Sequence, residues 1–244
     1  MLIPTATSLL RPEDAEFWRR LPDWSPVGLD PVQRARAGEA WAKAAQMEHG
    51  SIASFSKFSL QLLGVGAPPQ LIEASHRAAI DEVHHARISF AVASKFAGTS
   101  LGPAGIPLGG DLLGDGALAT VALETVRDGC VGESLAAAEA EAAGQEAIDD
   151  IIRLAMTSIA RDEGQHAELA WRFVGWAIAV GGASLKRQVV TAFEAAVARA
   201  LAPDADSDIR ETCPVGYGRL SASRARQVRE AAVRDVIAPA VAAL

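Results

Sequence analysis

Four stretches of this chain have the spacing of long helices, and each carries a glutamate in the middle of the face that should be buried. Read at intervals of three and four residues, the first stripe is Trp41, Ala45, Glu48, Ile52, Phe55, Ser59, Leu62. The second is Leu71, Ser75, Ala78, Glu82, His85, Ser89, Val92, Phe96. The third runs Leu123, Val126, Cys130, Glu133, Ala137, Ala140, and the fourth Ile152, Met156, Ile159, Glu163, His166, Ala170, Phe173. Such periodicity marks helices with one apolar face. Two stripes add a histidine three residues after the acid, which sets Glu82 beside His85 and Glu163 beside His166 on one face. Taking four carboxylates out of water together costs several kcal/mol per ion unless something cancels the charge. Two divalent cations cancel it, and two neutral imidazoles add ligands without disturbing the balance.

A single E-x-x-H arises on many helices by chance. Two of them, each preceded on another helix by a lone glutamate, are far more restrictive. The intervals Glu48 to Glu82 (34 residues) and Glu133 to Glu163 (30 residues) suit antiparallel helical hairpins. The halves repeat, with Glu48 and Glu133 85 residues apart and Glu82 and Glu163 81 apart. Each motif also begins with an aspartate, Asp81 or Asp162. Metal-bound imidazoles usually donate their second N–H to a carboxylate. Asp81 and Asp162 are candidates for that role, each toward the histidine of the opposite motif; the alternative is that they face solvent.

The punctuation supports an all-α fold. Asp30-Pro31 opens the first long helix, which stops at Gly64-Val65-Gly66; Pro68-Pro69 opens the second, ending near Phe96. Residues 97–116 are too rich in Gly and Pro for a helix and form a long crossover. The third helix spans about Ala117–Ala143 and the fourth about Gln145–Val180, ended by Gly181-Gly182. A shorter helix covers about Ser184–Leu201, and a last one starts near Ser223, with Pro239 kinking or ending it. The expected organisation is an arm (1–29) holding at most a short helix near Glu13–Arg20, a four-helix bundle with one long crossover (30–180), and C-terminal helices (181–244).

Composition removes several classes. Half the chain is apolar and alanine-rich, enough for a full core. A net charge of −7, from 23 basic and 30 acidic residues, argues against binding DNA. No basic segment followed by a long apolar run opens the chain, and no apolar run approaches the ~18 residues of a membrane span. Two cysteines, Cys130 and Cys213, make neither a disulfide scaffold nor a CxxC site, so a reducing, cytoplasmic setting is expected.

Glu48, Glu82-x-x-His85, Glu133 and Glu163-x-x-His166 together resemble the ligand set of the ferritin-like di-iron carboxylate superfamily, over roughly residues 30–180. The resemblance implies a ferritin-like bundle and a centre of two irons, with manganese or a mixed Mn/Fe pair as alternatives. It also implies Glu82 and Glu163 as bridging carboxylates, with His85 and His166 each completing one metal. The implied activity is that of a dioxygen-activating oxidoreductase, a monooxygenase, hydroxylase or N-oxygenase. It would act on a small organic or carrier-bound substrate with electrons from an external donor, and a homodimer is compatible with it. The alternatives are a ferroxidase or iron store, a peroxide scavenger, and a metal-free helical interaction bundle. No rubredoxin-like CxxC pair occurs, and the single tyrosine, Tyr217, is distant in sequence from the ligand helices.

Around the acids, Gly129 and Gly132 each cost about 1 kcal/mol of helix propensity. With Cys130 and Ala137 they either open a pocket for dioxygen and substrate or allow close helix packing. Cys130 reads as a pocket wall rather than a ligand. Ser51 and Phe55 line a cavity or belong to the core. His49, His76 and His84 lie off the ligand stripes, and Trp171 and Trp176 read as core. Arg224, Arg226, Arg229 and Arg234 form a solvated face or one that meets an anionic substrate, carrier or redox partner.

Overall fold

Asp30 and Pro31 start the first long helix as their order dictates. The Asp30 carboxylate accepts from the N–H groups of Val32 and Gln33, and the Gln33 side chain accepts from the Asp30 N–H. This reciprocal cap satisfies donors that a helix N-terminus otherwise leaves unpaired. The structure, a computed structural model, describes residues 11–107, 115–202 and 212–244, and every element among them is helical. Part of the crossover (108–114) and part of the loop before the last helix (203–211) lie outside the described residues.

Residues 1–10 of the arm lie outside the described residues; the rest holds a 3-10 turn Pro12–Asp14, helix α1 (Ala15–Arg20) and a second 3-10 turn Leu21–Asp23. Helices α2 (Pro31–Gly64) and α3 (Pro69–Ala97) form an antiparallel hairpin. At one end a Cβ on Gly38 would meet the Phe96 Cβ at 3.2 Å; nearer the turn the Ser59 and Ser75 hydroxyls bond at 2.9 Å. A second hairpin pairs a three-part helix with α6 (Asp150–Ala200). The three parts are α4 (Leu118–Thr125), a π-helical segment (Val126–Glu133) and α5 (Ser134–Gln145). The expected end at Gly181-Gly182 is a kink inside α6: Gly182 leaves the helix at φ 68°, ψ −163°, and a second helical stretch resumes after it. The expected boundary at 180 thus falls just before that kink.

Helix α7 (Ala222–Ala232) continues through a π turn (Val233–Ile237) into α8 (Ala238–Ala243). Pro239 neither ends nor breaks this run. The wider π turn before it accommodates a ring that has no N–H to donate and would crowd the preceding carbonyls.

Among the described residues the apolar interior forms two large cores and a small third cluster of Ala45, Ala86 and Phe90. One core gathers Trp41, Ile88, Val92, Phe96, Ala140, Ile152, Met156 and Ile159, joined by Phe17, Trp18 and Leu21 of the arm. The other gathers Phe55, Leu62, Leu71, Ala78, Val126, Cys130, Ala170 and Phe173. On α2, α3 and α6 the glutamate lies where the helix passes from one large core to the other, whereas beyond Glu133 the chain stays in the second core through Leu135 before reaching the first at Ala140. Among the described residues no helix is long and apolar enough to cross a membrane.

Candidate metal centre

The four glutamates and two histidines converge at this boundary. Glu82, His85, Glu163 and His166 are buried, while Glu48 and Glu133 are partly exposed. His85 Nδ1 lies 3.7 Å from carboxylate oxygens of Glu48, Glu82 and Glu163. His166 Nδ1 lies 3.2 Å from Glu82 Oε1 and 3.2 Å from Glu163 Oε2. Glu82 and Glu163 therefore each present one oxygen to either imidazole. Potential ligand atoms fall into two groups within 4.8 Å: Glu48, Glu82, His85 and Glu163, and Glu133, Glu163 and His166.

The donor set fits metal ions. Glu82 Oε2 and His85 Nδ1 are buried without a hydrogen-bond partner, an arrangement that is costly for atoms meant only to bond each other. Oxygen and nitrogen ligands sit about 2.0–2.2 Å from a first-row cation, so ligand atoms on one ion lie roughly 3–3.5 Å apart. The three oxygens around His85 Nδ1 need only a slight contraction to share one. Carboxylate with imidazole suits iron or manganese better than copper(I).

Behind the imidazoles the two aspartates cross over between motifs. His85 Nε2 is 3.0 Å from Asp162 Oδ2, and His166 Nε2 is 3.5 Å from Asp81 Oδ2. A carboxylate on Nε2 favours the tautomer that leaves Nδ1 as the lone-pair donor.

Sequence reading missed Arg11. Its Nη1 donates to Asp81 Oδ1 at 2.8 Å and to Asp162 Oδ2 at 2.7 Å, Nε donates to Asp14 Oδ2 at 2.8 Å, and Nη2 donates to Ser158 Oγ at 3.1 Å. Ser158 donates in turn to Asp14. One guanidinium from the arm thus ties together the two aspartates that orient the histidines. Arg161 Nε donates to the other oxygen of Asp162. No periodicity marks an arm residue 151 positions from its partner.

Electrostatics reflect the crowding of acids. Burial raises Glu48 to about 7, with His85 pulling the other way. Burial, then the Glu163 charge, lifts Glu133 well above the carboxylate range. Burial also opposes ionisation of Glu82, but the two histidines outweigh it and hold it at about 2. Burial opposes the imidazolium of His85, yet Asp162, Glu48 and Glu82 raise it well above 6.5; His166 is likewise raised to about 11 by Asp81, Glu163 and Glu82. Asp162 lies below its ordinary range because His85, Arg161 and Arg11 overcome its burial. Without cations, protons take over part of the charge compensation.

A cavity of about 830 Å³ opens onto Glu48, Glu82, Glu133 and Glu163. Of the residues expected to line one, Ser51 and Gly132 do so. Phe55 packs its ring 4.8 Å from that of His166. Cys130 is fully buried in the second core, where burial pushes its thiol up, and Ala136 rather than Ala137 faces the cavity. Gly129 faces α6: a Cβ there would lie 2.6 Å from the Ala170 Cβ, so the glycine permits close packing and makes no space for a substrate. The π segment, also unforeseen, ends on Glu133 and moves that residue relative to a regular helix. Tyr217, distant in sequence, packs its ring 5.9 Å from Phe96, and its carbonyl accepts from Trp41 Nε1.

No family model, curated protein or solved structure matches the chain.

Proposed function

We propose that this protein is a non-haem oxidoreductase of ferritin-like architecture, whose two iron ions, or manganese or a mixed pair, activate dioxygen to oxidise an organic substrate. The observation that supports this reading most is the meeting of four carboxylates from four helical segments around two imidazoles whose outer nitrogens face aspartates. When bound, the metal pair supplies the redox chemistry, with electrons from an external donor.

The chain's residues supply the rest. Glu48, Glu82, His85 and Glu163 would hold one metal, and Glu133, Glu163 and His166 the other. Asp162 bonds His85 Nε2 and so favours the tautomer that keeps Nδ1 available, and Asp81 faces His166 Nε2 from 3.5 Å. Arg11 offsets the charge of those aspartates and holds their side chains in place. The two cores exclude water on either side of the ligand layer and so strengthen each charge interaction within it. The cavity leaves the carboxylate side of the centre reachable.

The test is anaerobic loading with Fe²⁺, followed by exposure to dioxygen with a reductant present. Two irons per chain, an optical change on exposure and dioxygen uptake by a small oligomer are expected. A large assembly storing many irons per chain would replace this reading with an iron store, and a chain that takes up no metal would end it.

A further inference from the structure

Among the described residues five serine and threonine hydroxyls are buried, at Ser59, Ser75, Ser89, Thr125 and Ser158. Four of them have a partner. Ser59 and Ser75 donate to the Phe55 carbonyl, Thr125 to the Val121 carbonyl and Ser158 to Asp14. Hydroxyls inside helices commonly settle on the carbonyl one turn back, as Ser94 also does on Phe90. Ser89 does not: it is fully buried, and its Oγ has no hydrogen-bond partner. A polar group kept dry and unbonded costs stability that an alanine in its place would not.

Ser89 lies one helical turn, about 6 Å along the axis, beyond His85 on the ligand stripe of α3. It lines the cavity that reaches Glu48 and Glu82, on an inner wall shared with Trp41, Ala140, Met156 and Ile159. All five are buried, and they belong to α2, α3, α5 and α6. Trp41 has already given its indole N–H to the Tyr217 carbonyl. The Ser89 hydroxyl is therefore the one N–H or O–H that these five side chains leave unused. It forms a single polar spot on an apolar wall beside the ligand layer.

We propose that Ser89 determines which substrate this cavity takes. Its hydroxyl bonds the one neutral polar group, a hydroxyl or a carbonyl, of a small and otherwise apolar organic molecule, whose body packs on Trp41, Met156 and Ile159. A serine hydroxyl both donates and accepts, so it suits either group. A charged group would lose its water there and find no opposite charge on this wall. Anchored in this way, the molecule has a fixed end, and that fixes which of its carbons come nearest the ligand glutamates. The inference rests on the metal reading above, which gives the anchored molecule a centre to react at.

The experiment uses the full chain loaded anaerobically with Mn²⁺, its metal content measured first. 1-Phenylethanol, acetophenone and ethylbenzene, which share one carbon skeleton, are then titrated calorimetrically. The alcohol or the ketone should bind at least about fivefold tighter than ethylbenzene, the usual worth of one hydrogen bond. Ser89→Ala should remove that preference while ethylbenzene affinity and metal content stay unchanged. Because the hydroxyl has no partner to lose, Ser89→Ala should also melt at or above the wild-type Tm without ligand, the opposite of what loss of a structural serine does.

Equal affinity for the three molecules, no binding of any of them, or a Ser89→Ala protein that keeps the preference overturns the inference and leaves the metal centre standing. A Ser89→Ala Tm well below wild type assigns the hydroxyl to the packing of the fold and overturns it as well. Failure to take up two Mn²⁺ per chain overturns the metal reading and this inference with it, before any titration is run.

Discussion

At the scale of single residues, the ligand glutamates differ in what their loss should cost. Glu163 belongs to both groups of converging ligand atoms, whereas Glu133 belongs to one. Glu133→Ala should therefore lose at least one metal and Glu163→Ala both, read as metal per chain by elemental analysis. Equal and unchanged stoichiometry in both variants would contradict the assignment. Arg11 touches no ligand, yet its removal leaves Asp14, Asp81 and Asp162 without their shared cation. Arg11→Ala should weaken metal binding by about 10–100-fold, the usual cost of losing outer support around a ligand, as measured by competition with a chelator. The convergence of the six Glu and His residues could be read from the sequence because each repeats a helical period on its own segment. The paired motifs also pointed each aspartate at the opposite histidine: Asp162 bonds His85 Nε2, while Asp81 faces His166 Nε2 from 3.5 Å without a hydrogen bond. Arg11 could not be read in this way: its contacts depend on how the arm docks, and no local pattern encodes that.

At the scale of elements, the starts of α2 and α3 were legible from Asp30-Pro31 and Pro68-Pro69, whose backbone chemistry is local. The π segment was not. Gly129 and Gly132 announce weak helix propensity, but whether the chain breaks, packs closely or widens is settled by what α6 presents opposite. There Ala170 sits against Gly129 with no room for a methyl group. Gly129→Ala should therefore destabilise the protein by about 1–3 kcal/mol, as overpacking does, despite alanine's better helix propensity. A thermal melt with a Tm at or above wild type would contradict this account. Because the π segment ends on Glu133, the same variant should also lower metal occupancy.

For the whole molecule, the division of the interior into two cores with a charged layer between them decides how stability follows pH. Glu48 (about 7), Glu133, His85 and His166 (about 11) all bind protons more tightly when folded than unfolded. Stability from such groups is full below their unfolded values, about 4.3 for Glu and 6.5 for His, and is lost as pH rises through the folded ones. Glu82 and Asp162 have the opposite sign, but their range lies below about pH 4.5. Chelator-stripped protein should thus melt highest near about pH 5 and lose Tm steadily between about pH 6 and 9. Metal-loaded protein should hold its Tm over the same interval, because cations replace the protons. A stripped chain whose Tm is flat or rising there would refute this linkage. The guanidinium of Arg11 fills the space behind the imidazoles, while the carboxylates line the cavity. Among the described residues the centre accordingly has a shielded rear and an open front, so a chelator or other reagent added to the folded protein meets the acids through the cavity and not from the side that Arg11 covers.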